Sequence, residues 1–179
     1  MSELPASARK VQDAGMALGL DIAVREMAEP TRTAQEAASA CGVTVGQIVK
    51  SLVFSGAASG KPYLLLVSGT NRVNEKGVAT HLGEKLKRPD AETVRALTGY
   101  AIGGIPPFGH ATSLATYMDR DLLQYDVIWA AAGTPKAVFR TEPGKLRDAT
   151  QAVASAWGSS SSRGESAAPA ARRWRLSRR

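Results

Sequence analysis

Apolar residues recur along the chain with two different periods. Ala8, Val11, Gly15 and Leu18 fall at helical spacing, which predicts a first amphipathic helix over residues 6–19. Weak alternation over Ile22–Met27 predicts a strand. Thr33-Ala-Gln-Glu36 has the form of a capping box, in which hydroxyl and carboxylate satisfy each other's orphan amides. Behind it Ala34, Ala37, Ala38 and Cys41 form one stripe, and Gly42 ends the helix. Thr44–Gln47 predicts a short helical turn, followed by a strand over Ile48–Phe54, a Gly/Ser/Ala-rich hairpin loop over Ser55–Lys61 and a returning strand over Tyr63–Val67. Two helices are expected over residues 74–82 and 90–98. Tyr100–Gly104 reads as a short strand running into Ile105-Pro-Pro-Phe-Gly109, and Leu114–Met118, Val127–Ala131 and Ala137–Arg140 as the remaining strands. Pro143 opens a last helix with Leu146, Ala149, Val153 and Trp157 on one face. Strands and helices mix without regular β-α-β alternation. The expected fold is therefore α+β: a single domain with a mixed sheet.

One strand breaks its own pattern. In Ile48-Val-Lys50-Ser-Leu-Val-Phe54, Ile48, Lys50, Leu52 and Phe54 share one face, and Val49, Ser51 and Val53 share the other. Both faces are mostly apolar, so the strand is central and Lys50 has interior neighbours. Burying an ammonium without a partner costs several kcal/mol. Such a lysine either opens into a cleft and binds an anionic or electron-rich group, or reaches the rim or a nearby carboxylate. A second feature is Gly103-Gly104-Ile-Pro-Pro-Phe-Gly109, where glycines allow close approach of backbone to a ligand and prolines stiffen the loop. It has neither the Walker spacing nor the dinucleotide fingerprint. A third is Trp129-Ala-Ala-Ala-Gly133-Thr-Pro, a strand ending in small residues that either walls a pocket or packs tightly.

Composition narrows the chemistry. The 179 residues suit one domain, and no apolar run approaches the ~18–20 residues of a membrane helix. Met1-Ser-Glu-Leu-Pro5 does not have the form of a signal peptide. Cys41 is the single cysteine, and its place on an apolar stripe makes it a small core residue rather than a nucleophile. With His81 and His110 as the two histidines, no transition-metal site is expected. These bounds describe a soluble, cytoplasmic, metal-free domain without membrane contact. The net charge of +7 is concentrated at one end. Residues 158–179 carry Arg163, Arg172, Arg173, Arg175, Arg178 and Arg179 against Glu165, and are expected to be a disordered tail beyond a domain of residues 1–157. Such a tail either tracks a phosphate backbone, with Trp174 free to stack on a base, or is simply solvated.

Arg32-Thr33-Ala34-Gln-Glu-Ala-Ala, then Ile48-Val-Lys50-Ser-Leu-Val-Phe, Gly103-Gly-Ile-Pro-Pro-Phe-Gly109 and Ala131-Ala-Gly133, in that order, resemble the YbaK/EbsC family. These are prolyl-tRNA synthetase-associated editing domains, and the resemblance covers residues 8–157. It implies a barrel-like mixed sheet flanked by helices. It also implies hydrolysis, in trans, of the ester joining a wrong amino acid to the tRNA 3′ adenosine, with no cofactor. Mischarged tRNA is then the partner, with prolyl-tRNA synthetase or other translation factors beside it. Lys50 falls on the family's essential lysine, and Gly103 on the loop glycine whose backbone contacts the aminoacyl group. Ala131 stands where cysteinyl-directed members have serine, Ser51 where alanyl-directed members have asparagine, and Ile-Pro-Pro-Phe-Gly-His110 replaces Ile-Ser-Pro-Leu-Gly. These departures argue against copying either substrate and are similar to freestanding members that clear small non-cognate amino acids.

An aminoacyl ester is already activated, so positioning and charge stabilisation matter more than a strong nucleophile. The expectation is that Lys50 grips the RNA 3′ end, amides near Gly103 and Gly104 hold the carbonyl or oxyanion, and a bound water or a substrate group attacks. No Gly-x-Ser-x-Gly is present. A pocket that excludes the correct residue would be lined by Thr33, Ser51, Ile105, Pro106, Ala131 and Ala132. His110 either hydrogen-bonds the substrate or is an ordinary loop histidine. Two other readings compete: a non-catalytic module binding the tRNA acceptor end, and a general small-ester or amide hydrolase.

Overall fold

A computed structural model describes residues 3–156 and, for the backbone alone, residues 158–159. Five helices, α1 (Ala6–Ala17), α2 (Ala34–Cys41), α3 (Glu75–Leu82), α4 (Ala91–Thr98) and α5 (Pro143–Thr150), surround the sheets. The strands are β1 (Arg25–Glu26), β2 (Val49–Gly56), β3 (Pro62–Ser68), β4 (Arg72–Val73), β5 (Leu86–Lys87), β6 (Ala115–Asp119), β7 (Ile128–Ala131), β8 (Ala137–Thr141), β9 (Val153–Ser155) and β10 (Gly158–Ser159). β5-β2-β3-β6-β9 form a mixed sheet, antiparallel around β2 and parallel where β6 meets β3 and β9. β1-β8-β7 form an antiparallel sheet, and β10 pairs with β4. A parallel bridge between Ile48 and Trp129 joins the two larger sheets and gives the core its barrel-like curve.

β3 explains why the strand centre reads as unbroken apolar sequence. Leu64 and Leu66 point into the larger core with Ile22, Phe108, Met118 and Phe139, whereas Leu65 and Val67 face Phe54 and Val78. Both faces are covered, so no polar alternation is tolerated. β2 lies in register beside it, with Lys50 opposite Val67 and Ser51 opposite Leu66. The helix caps form as their residues dictate. Thr33 accepts from the Glu36 amide at 3.1 Å, the Glu36 carboxylate accepts from the Thr33 amide at 3.2 Å, and Gly42 closes α2 in the left-handed region.

Three expectations change. Tyr100–Gly104 is a turn, not a strand: Gly103 has φ +98° and the Gly104 amide donates to the Ala101 carbonyl at 3.1 Å. Over Ile22–Met27 only Arg25–Glu26 joins a ladder, because the Gln12 side-chain amide donates to Ile22 O and accepts from the Val24 amide. The last helix stops at Thr150, where Gln151 turns left-handed at φ 53°, and the chain returns as β9. Val153 therefore sits on a strand, 49% exposed, instead of on a buried helix face. Trp157 and the Arg-rich segment from residue 160 onward lie outside the described residues, while Gly158–Ser159 pair with β4.

Leu66→Ala removes a fully buried side chain from the middle of β3 and is expected to lower stability by about 3 kcal/mol in urea unfolding. A loss below half of that would show that the core around β3 can collapse to fill the space.

Candidate active site

The strand β2 is partnered by β3 along its length, but on its other side by β5 only at Ser55 and Gly56, and Ile48 alone bridges to β7. Between these points its edge is open. A cleft of about 260 Å³ runs along it, lined by the consecutive residues Ile48–Leu52 and so by both faces of the strand. The first turn of α2 and its approach (Thr31–Ala34, with Ala37) form one wall. Ile102, Gly103 and Ile105 form another, and Trp129–Ala131 with Val138 close the floor. Among the described residues, Arg32 and Lys50 are the charged ones that line the space, and no carboxylate does.

Lys50 is half-buried, and its Nζ donates to the main-chain carbonyl of Asn71. That carbonyl is fixed by a buried polar network. Asn71 Nδ2 donates to Asp119 Oδ2 at 2.8 Å and to Asp121 Oδ2 at 2.7 Å, while the Ser68 and Asp121 amides donate to Asp119 at 3.1 and 3.0 Å. Asp119 is 1% exposed. Burial lowers the Lys50 pKa from its usual value, the Asp119 charge opposes that shift, and Arg72 reinforces it. The lysine is thus both a cleft residue and one steadied by a carboxylate, which joins the two readings of its sequence context.

The glycine loop is built for close approach. A Cβ on Gly104 would lie 2.9 Å from the Thr134 backbone, and the Gly104 carbonyl accepts from the Gly133 amide at 2.8 Å. This ties the loop to the end of β7. The Gly104 amide is consumed by its turn, so it is not the free donor expected from sequence. Among the described residues, the amides of Ile102, Gly103 and Ile105 have no partner. The Ser51 hydroxyl is also buried without one. An unsatisfied buried hydroxyl costs about 1–3 kcal/mol, so this wall of the cleft carries an unpaired polar group.

Of the expected site residues, Lys50, Ser51, Thr33, Gly103, Ile105 and Ala131 meet in this one cleft. Gly104, Pro106, Ala132 and His110 do not line it. Pro106 and Ala132 are buried behind it, and His110 Nε2–H donates to the Pro106 carbonyl at 2.7 Å, stapling the loop. Arg32, Ile48 and Val138 line the cleft but were not named as site residues from the sequence, whereas Trp129 opens the strand that the sequence offered as a pocket wall. Burial pushes the Cys41 thiol pKa up, against the pull of Arg25, as befits a packing residue. Among the described residues no group of His, Cys, Asp and Glu could hold a metal ion, and no helix is long and apolar enough to cross a membrane.

The combination of a mixed, barrel-like fold with a strand lysine facing a glycine loop defines an aminoacyl-tRNA editing domain. The model of that family matches residues 28–149, and the chain belongs to it. A solved structure of a proposed trans-editing enzyme for prolyl-tRNA synthetase is 48% identical with a TM-score of 0.83, covering 88% of this chain and 100% of that one. EbsC of Enterococcus faecalis, a proposed Cys-tRNA(Pro)/Cys-tRNA(Cys) deacylase, is 28% identical over 127 residues, spanning 66% of this chain and 77% of that protein. The proline–tRNA ligase of Limosilactobacillus fermentum is 32% identical over 110 residues, which is 59% of this chain and 19% of the ligase.

The His110 staple has a pH signature. Burial lowers its pKa from 6.5, outweighing the Pro106 carbonyl that raises it. The folded state then binds fewer protons than the unfolded one, so stability is full above 6.5 and falls as the pH drops toward the depressed value. Between about pH 7 and about pH 5 the melting temperature of the wild type is expected to fall more than that of His110→Gln. Parallel curves for the two proteins would refute this.

Proposed function

We propose that the protein is a trans-acting aminoacyl-tRNA deacylase that removes a small non-cognate amino acid from mischarged tRNA, with tRNA(Pro) the first candidate. The observation that carries this reading is the meeting of Lys50 and Gly103, more than fifty residues apart in the chain, across one small cleft. At about 260 Å³ the space suits a small acyl group, below the range of about 300–1,000 Å³ typical for drug-sized ligands. The floor of alanines and Val138 suits an apolar side chain, and membership of the editing family supplies the class of reaction.

In this reading the acyl carbonyl lies against the loop, where the Gly103 amide is available to the oxygen as negative charge develops. Water attacks the acyl carbon, a new C–O bond forms, and the bond to the ribose oxygen breaks. The ribose oxygen takes up a proton, leaving free amino acid and uncharged tRNA. Lys50 holds the ribose side of the ester with its ammonium, whose position Asn71 fixes. Ser51 offers its unpartnered hydroxyl to a polar group of the substrate.

Purified protein assayed against a panel of mischarged tRNAs is expected to release a small amino acid, alanine-sized or near it. Lys50→Ala should lower kcat/KM by about 10²–10³-fold. Binding of charged tRNA without release would leave a non-catalytic module, and activity on minimal amino-acid esters but not on tRNA would leave a general esterase.

Ser51→Ala separates substrate binding from folding. Removing a hydroxyl that has no partner in the free protein should leave the melting temperature unchanged or raised, while kcat/KM falls about tenfold. A destabilised variant with unaltered deacylation would make Ser51 structural only.

A further inference from the structure

We propose that Arg32 is the phosphate-binding residue of the cleft and fixes the 3′ end of the RNA opposite Lys50; this rests on the deacylase reading above. The two cations that line the cleft are differently employed. Lys50 is committed to the Asn71 carbonyl and lies in the field of Asp119. Arg32 is exposed, and among the described residues its guanidinium makes no hydrogen bond or ion pair. Of the two carboxylates nearest it along the chain, Glu29 makes no ion pair with it among the described residues, and Glu36 accepts through Oε2 from the main-chain amides of Arg32 and Thr33 at 3.1 and 3.2 Å.

The side chain is not simply a solvated surface arginine. Its stem lies across the glycine of the loop, with Cγ 3.5 Å from where a Cβ on Gly103 would stand. That is ordinary van der Waals contact, so what position 103 demands of its residue is the backbone conformation at φ +98°. Arg32 is thereby laid along the mouth of the cleft, beside Ile102, which is 61% exposed and offers an apolar face to a sugar or base. In an RNA 3′-terminal ester the acyl group and the nearest phosphate leave the ribose in different directions. A cleft that takes the acyl group between Ser51 and Gly103 therefore leaves the phosphate at its mouth. A guanidinium there is permanently charged and can bind two phosphate oxygens in a fork. Among the described residues no carboxylate lines the cleft to compete for it.

The test compares wild type, Arg32→Ala and Arg32→Lys in two assays. The first is steady-state deacylation of mischarged tRNA. The second is calorimetric binding of two non-hydrolysable amide analogues, an aminoacyl-CCA trinucleotide and an aminoacyl-adenosine without phosphate. The capping box uses the amide of Arg32, not its side chain, so the variants should keep the wild-type melting temperature. Arg32→Ala is expected to raise KM for tRNA and Kd for the trinucleotide about tenfold or more, with kcat little changed. Its plot of log K against log salt should be shallower by about 0.7, the value for one phosphate of a single strand. Binding of the phosphate-free adenosine should not change, and Arg32→Lys should recover part of the loss. Equal trinucleotide affinity and salt slope in wild type and Arg32→Ala would overturn the proposal, as would an equal loss on both analogues. An active wild type with an unaffected Arg32→Ala removes this inference alone. A wild type that neither deacylates nor binds either analogue removes the deacylase reading with it.

Discussion

The site depends on holding an ammonium in an apolar strand. Lys50 has Val67 across the ladder and Leu52 beside it on the same face, surroundings that by themselves favour a neutral amine. What keeps the head in place is one carbonyl, that of Asn71, and the negative field of a carboxylate behind it. Asp119 is almost fully buried, which is tolerable because Ser68, Asn71 and Asp121 all donate to it. The turn between β3 and β4 is thus folded around a charge. It presents its carbonyl to the lysine as a consequence. Because the carboxylate stands one layer back, the cleft itself carries positive charge without a competing anion.

The same arrangement bears on which kind of chemistry the cleft can run. A side-chain nucleophile needs a base within reach to take its proton. Ser51, the hydroxyl on the wall, has no hydrogen-bond partner at all among the described residues. His110, the histidine of the glycine loop, spends Nε2 on the Pro106 carbonyl, and burial favours its neutral form. Cys41 lies on the α2 stripe with its thiol held protonated by burial. Among the described residues that line the cleft, no hydroxyl or thiol is hydrogen-bonded to a side-chain base. In the proposed reading the substrate is an ester that water attacks once its carbonyl is polarised and its ribose held.

Much of this arrangement was legible in the sequence because its signals are local. The capping box of α2, the apolar strand interrupted by Lys50 and the Gly-Gly-x-Pro-Pro loop each announce themselves within a few residues, and all three border the cleft. The polar network was not legible. Asn71 looks like an ordinary turn residue, and its partners Asp119 and Asp121 are 48 and 50 positions away. Two of the secondary-structure errors differ in origin. Tyr100–Gly104 reads as a short strand, but a local turn with a left-handed Gly103 and the Gly104–Ala101 bond takes the place of a ladder. Apolar spacing continues the last helix past Thr150, yet a left-handed Gln151 ends it and β6 takes the following residues as a parallel neighbour. Tertiary pairing overrode the local pattern there.

Arg32 illustrates a subtler limit. Within the sequence it is the residue before a capping threonine, where any type with a usable amide would serve, so its side chain carries no local signal. Its placement comes from a contact with Gly103, seventy-one positions on, beside which the arginine stem packs. The glycine is required there by its backbone, since φ +98° is a conformation that residues with a Cβ rarely adopt. The arginine stem packs beside it at van der Waals distance, and this contact, which contains no polar atom, couples the two walls of the cleft.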